Sequence, residues 1–180
     1  MPSMPLHPAM VHLPLALAFV APFIAFVFSW ALWKGRSQSR AWIVIVALQA
    51  LLLVSALVAK NFGEREEDRL KSKLPEAALE RHDEAANVFL GASGFTLAAA
   101  VLVMVWRRPG ALKPLTTVTI VGSVLAAGAA VFAGYTGGEL IYVHNAAALY
   151  VNNNKPIAEQ EKGSPVSEGK RGSASERGNP

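Results

Sequence analysis

The apolar residues of this chain fall in long uncharged blocks, with the charges confined to the stretches between them. The blocks cover about 9–33, 41–60, 85–106 and 115–135. A helix needs about 20 apolar residues to cross the hydrocarbon core of a bilayer, and each block is long enough alone. The pattern predicts four transmembrane helices. The fold class expected is an all-α integral membrane four-helix bundle over residues 1–150. The segment 151–180 is rich in Gly, Ser, Pro, Lys and Glu, lacks the apolar content to pack, and is expected to be a disordered polar tail.

The first block resembles a signal peptide only superficially. No Lys or Arg precedes it, its apolar stretch is too long, and no small-x-small site follows. Pro14 falls in its first turns, where a missing N–H costs little, and Pro22 is expected to kink it. Trp30, Trp33, Trp42 and Trp106 stand at one side of the spans, as an interfacial aromatic belt would.

Charge then orients the spans. The short connection after span one carries Lys34, Arg36 and Arg40; the one after span three carries Arg107, Arg108 and Lys113; neither has an acid. The segment from Lys60 to Arg81 holds six basic and six acidic residues. The positive-inside rule puts the two short basic loops in the cytoplasm. Both termini and the 60–84 loop are then outside, which means the periplasm for a bacterial inner-membrane protein.

Composition changes little in this picture but removes several chemistries. Hydrophobic residues make up 52% of the 180 and charged residues 17%. The net charge of +4 is no nucleic-acid signature, because the basic residues cluster beside the apolar blocks. There is no cysteine, hence no disulfide, thiolate metal site, iron–sulfur cluster or covalent c-type haem. No span interior carries a charge, Lys60 standing at the very end of its block, so no proton relay through the middle is expected. No nucleophile–base pair, phosphate loop or H-E-x-x-H motif is present, so neither an enzyme nor a transporter is indicated.

What remains is four histidines. Tracing the four spans brings His7, His12, His82 and His144 to the same membrane face, although they are scattered over the chain. An interfacial histidine is often only a snorkelling polar group. Imidazole is also the commonest side-chain metal ligand and binds haem iron axially. Helical bundles hold cofactors between facing helices. His12, about one turn inside span one, would be partly removed from water, the setting that suits a ligating imidazole. The expected ligands for haem b, or for a transition metal, are therefore His12, His82 and His144, with His7 a spare or hydrogen-bonding partner. Glu139 and Tyr142 would orient them. The small-residue stripe Gly122, Ala126, Ala130, Gly134 and Gly138 in span four, with Gly91, Gly94 and Ala98 in span three, fits close helix packing; it would also leave room for a flat macrocycle. After Gly138 the chain either continues as helix or lies on the surface with Leu140, Val143, Ala147 and Tyr150.

Two stretches resemble the signatures of a bacterial membrane family of unknown function, family 2231. They are Leu6-His7-Pro8-Ala9-Met10-Val11-His12-Leu13-Pro14, similar to L-H-P-x-x-V-H-x-P, and Gly137-Gly138-Glu139-Leu140-Ile141-Tyr142-Val143-His144, similar to G-G-x-L-x-Y-x-H. The resemblance spans roughly residues 5 to 150 and implies four membrane helices. It implies that His7, His12, His82, Glu139 and His144 are the motif positions, and it supplies no activity. The family pattern has a glycine before the end of span two, where this chain has Ala59 and Lys60. Some members sit beside redox proteins, which turns the expectation toward electron transfer, with membrane quinone or an outside redox protein as partner. The alternatives are a copper, iron or zinc handling protein, and a non-catalytic accessory or assembly subunit of a membrane complex.

Overall fold

The computed structural model describes residues 7–36, 39–106 and 109–148, and every element in them is helical. They are α1 (His7–Met10), α2 (His12–Trp33), a 3₁₀ turn (Ser39–Trp42), α3 (Ile43–Leu70), α4 (Glu76–Val105) and α5 (Pro109–Tyr142). Among the described residues, four helices are long and apolar enough to cross a membrane. They form an antiparallel bundle in which α4 packs most extensively on α5, α5 on α2, α2 on α3 and α3 on α4. The ring of neighbours is thus closed in chain order. The expected tail, with Leu149 and Tyr150, lies outside the described residues, as do the loop residues Ser37, Gln38, Arg107 and Arg108.

Local chemistry sets the helix ends. Pro14 has no N–H for the carbonyl of Met10, and its ring crowds that carbonyl. The chain accordingly breaks at Val11 into the short α1 and the long α2. Gly35 closes α2 in the left-handed region at φ 66°, with its N–H on Leu32 O and that of Arg36 on Ala31 O. Pro75 ends the turn after α3, and Glu76 follows in the first turn of α4, where a carboxylate complements the helix dipole.

Three of the helices outrun their apolar blocks, all at the same end. The stretch expected to be a loop at 60–84 is mostly helix: α3 continues to Leu70 and α4 begins at Glu76, so only 71–75 turns. Ion pairs at helical spacing support the polar part of α3, Lys60 with Glu64 at 3.1 Å and Lys71 with Glu67 at 3.7 Å. A small apolar cluster of Leu74, Leu79 and Ala146, with Leu70 and Leu140, ties the three extensions together. That burial explains why α5 runs straight through Gly137 and Gly138 to Tyr142. The chain then reverses at Asn145 (φ 55°) into a helical turn at 146–148. Leu140 packs, while Val143 and Ala147 stay exposed.

The membrane-spanning core uses small residues where helices meet. The buried face of α2 is Pro14, Ala18, Ala21, Ala25 and Ser29. Gly122 on α5 lies against α4 so closely that a Cβ there would stand 2.5 Å from Thr96 Oγ1. Along the α5 stripe, Gly122, Ala126 and Ala130 are buried, whereas Gly134 is exposed with open space beside it. On α4, Gly91 and Ala98 are exposed rather than packed.

The tryptophans divide. Trp30 and Trp106 are exposed, as a belt requires. Trp42 is instead a core residue, 1% exposed, because its indole N–H reaches Ala100 O at 2.9 Å inside the bundle. Trp33 donates to Thr116 Oγ1 at 2.9 Å. These contacts fasten α3 to α4 and α2 to α5 at the tryptophan end.

Candidate functional site

All four histidines stand at the opposite end, where the three helix extensions project. His7 opens α1, which the missing N–H of Pro14 separates from α2. It lies on α3: the His7 main-chain N–H donates to Glu66 Oε1 at 3.3 Å, and the ring Nδ1 is 2.8 Å from Ala59 O. A carbonyl only accepts, so Nδ1 carries a proton, and in the neutral ring Nε2 is the nitrogen with the lone pair. The ring rests on Gly63, where a Cβ would approach its Cε1 to 3.0 Å.

His82, in the second turn of α4, repeats the arrangement on α5. Its Nδ1 is 2.9 Å from Thr136 Oγ1. That hydroxyl donates its single proton to Ala133 O at 3.0 Å and so accepts from His82. The ring rests on Gly137, where a Cβ would come to 3.1 Å of Cε1. Both imidazoles thus bond through Nδ1 and rest on a glycine, where a Cβ would press on the ring edge. Their centroids are 6.3 Å apart and their planes nearly perpendicular, at 81°.

A cavity of about 560 Å³ opens beside them between the helices. His7, His12 and His82 line it, with Leu15, Phe89 and Gly134 among its apolar walls and Lys60 and Asp83 at its polar side. Lys60 bridges α3 to Asp83 of α4 and also pairs with Glu64. Asp83 in turn accepts from Asn87 at 2.9 Å.

The structure therefore brings His7 and His82 together and puts His12 on the same cavity wall. His12 is the first residue of α2 and is exposed, not drawn into the bundle. His144 follows the end of α5 with its backbone N–H on Glu139 O at 3.2 Å, and it does not line the cavity. Glu139 orients no imidazole; it meets Arg81 across α4 and α5 at 3.3 Å. Tyr142 is 87% exposed at the cavity rim. The groups that do orient the rings are Thr136 and the Ala133 carbonyl for His82, and the carbonyl of Ala59 for His7. The small residues next to the rings make room for the imidazoles themselves at Gly63 and Gly137, while Gly134 borders the cavity. Among the described residues, no three His, Cys, Asp or Glu side chains come together as a metal-holding group.

Both signature stretches thus meet at one end, the first supplying His7 and the second the notch for His82. Residues 3–149 match the model of the family described as "Predicted membrane protein (DUF2231)". The chain belongs to this family. No curated protein and no solved structure matches it. The match extends over all five helices and includes both histidine notches.

Proposed function

We propose that the protein is a bacterial inner-membrane redox subunit in which His7 and His82 would hold a b-type haem at the histidine end. The observation that carries this reading is the pair itself: two imidazoles, each pinned through Nδ1, each with Nε2 left over. Ligating histidines are commonly held this way, the second nitrogen donating to a carbonyl or other acceptor.

The two ring centroids, 6.3 Å apart, are close enough for one bound group to be within reach of both imidazoles. Two protein ligands suffice for haem, because the porphyrin supplies the other four, whereas zinc and copper sites usually take three or four. The cavity falls in the range of roughly 300–1,000 Å³ usual for cofactor sites, and its largely apolar walls suit a macrocycle. A haem held there would supply one-electron chemistry, with membrane quinone and a redox protein outside as the proposed partners. The short basic loops support placing the histidine end outside, in the periplasm.

One observation favours a second reading, an accessory or assembly subunit without a cofactor. The His7 main chain and ring together fasten α1 onto α3, which is a structural task in itself.

Purification in mild detergent from haem-sufficient cells, with oxidised and dithionite-reduced spectra and metal analysis of one sample, decides between them. The haem reading expects stoichiometric iron and a reduced α band that His7→Ala and His82→Ala each abolish and His144→Ala leaves intact. A colourless, metal-free protein overturns it and leaves the accessory reading.

A further inference from the structure

The interior of the bundle is polar at mid-height. One apolar cluster holds Ala21, Leu52, Ala126 and Ala130 toward the histidine end. Another holds Ala25, Trp42, Ile45 and Ala100 toward the tryptophan end. Between them, Gln49 falls one turn from Ile45 and one from Leu52 on α3, and it is fully buried. Its Nε2 donates across the bundle to Ser123 Oγ of α5 at 2.8 Å. Its Oε1 is buried and has no partner.

The deficit is one of protons. Ser123 Oγ donates to Thr119 O at 2.8 Å, and Thr119 Oγ1 to Leu115 O at 3.0 Å. On α4, Ser93 Oγ donates to Phe89 O at 2.8 Å and Thr96 Oγ1 to Ala92 O at 2.7 Å. A hydroxyl has one proton, and each of these four has spent it on its own helix. Ser29 of α2, also fully buried, has a hydroxyl with no partner, so it does not serve Gln49 either. Exchanging the amide oxygen and nitrogen would set the oxygen against Ser123 Oγ, which could serve it only by giving up its own bond to Thr119 O. A buried amide oxygen needs a donor. A water molecule, small, neutral and carrying two protons, is the kind of donor that suits an acceptor-rich layer lined by small residues.

We propose that this mid-bundle layer is a binding site for internal water, with a water proton on Gln49 Oε1. The site is independent of any cofactor at the histidine end. The direct test is magnetisation exchange in the full-length protein, in perdeuterated detergent, with glutamine side chains labelled with nitrogen-15. Gln49→Met identifies the signal by its disappearance from the spectrum. The expected result is a cross-peak between the Gln49 amide protons and water with the sign of a long-lived direct contact. A protected amide signal without that cross-peak overturns the proposal. Crystals that resolve ordered solvent give the second measurement, with a peak at hydrogen-bonding distance from Oε1 expected. A peak ringed by five or more oxygens at cation distances overturns it, as does the Ser29 hydroxyl turned onto Oε1 with no solvent between.

Discussion

The two ends of the bundle are fastened by the same pair of contacts. At the tryptophan end, one ring nitrogen meets a backbone carbonyl, Trp42 on Ala100, and another meets a threonine hydroxyl, Trp33 on Thr116. At the histidine end, His7 meets Ala59 O and His82 meets Thr136 Oγ1. The geometry is alike and the consequence differs, because indole has a single nitrogen and imidazole has two. Fastening uses up the tryptophan, whereas each histidine keeps a lone pair on Nε2. Aromatic rings that tie helices together thus do only structural work at one end and retain ligating capacity at the other.

The sharpest way to break this comparison is to remove a ring at each end. Trp42→Ala empties a fully buried core position and should cost about 3–5 kcal/mol, enough to abolish a monodisperse detergent-solubilised protein in size-exclusion chromatography. His82→Leu should leave the fold intact by circular dichroism while removing at least nine-tenths of the haem absorption. If His82→Leu unfolds the protein as Trp42→Ala does, the two ends are equivalent and the histidines are structural. Next in size are the notches. Gly63→Ala and Gly137→Ala each drive a methyl group toward a ring edge, and a displaced ligand should weaken haem retention about tenfold, a loss of about 1.4 kcal/mol of binding free energy. Haem transfer to apomyoglobin measures that loss. Trp33→Phe removes one side-chain hydrogen bond and should lower stability by about 0.5–1.5 kcal/mol without touching the spectrum. Least of all, Glu139→Gln breaks an exposed pair with Arg81 worth about 0–1 kcal/mol, and the reduced α band should not move.

The four spans were legible because each apolar block is long and uncharged, and no soluble fold explains that. The helix extensions were not. Residues 61–70 and 76–84 are polar, so hydropathy ends where the helix does not. The available signal was helical charge spacing, Lys60 with Glu64 and Glu67 with Lys71, and the delay of any proline until Pro75. That omission hid the site. Gly63, the seat of His7, lies on the α3 extension, and His82 lies on that of α4. The sequence placed all four histidines at one end, yet topology alone does not select which two meet. Glu139 is a charged residue within a motif, but it pairs with Arg81 of α4 rather than with an imidazole. Thr136, a mid-helix hydroxyl without charge or special spacing, gave no sign of its role. The fully buried Trp42 was read as an interfacial residue for a similar reason: its carbonyl partner on α4 leaves no trace in the sequence.

The break at Val11 also has a bearing on assembly in time. Because His7 is seated on Ala59 and Gly63, its fastening waits for the second span to be made. Because His82 is seated on Thr136 and Gly137, its fastening waits for the fourth. In a chain that enters the membrane from its N-terminus, the contacts of His7 can therefore form before those of His82. A chain that stops before α5 lacks Thr136 and Gly137 and cannot seat His82 at all.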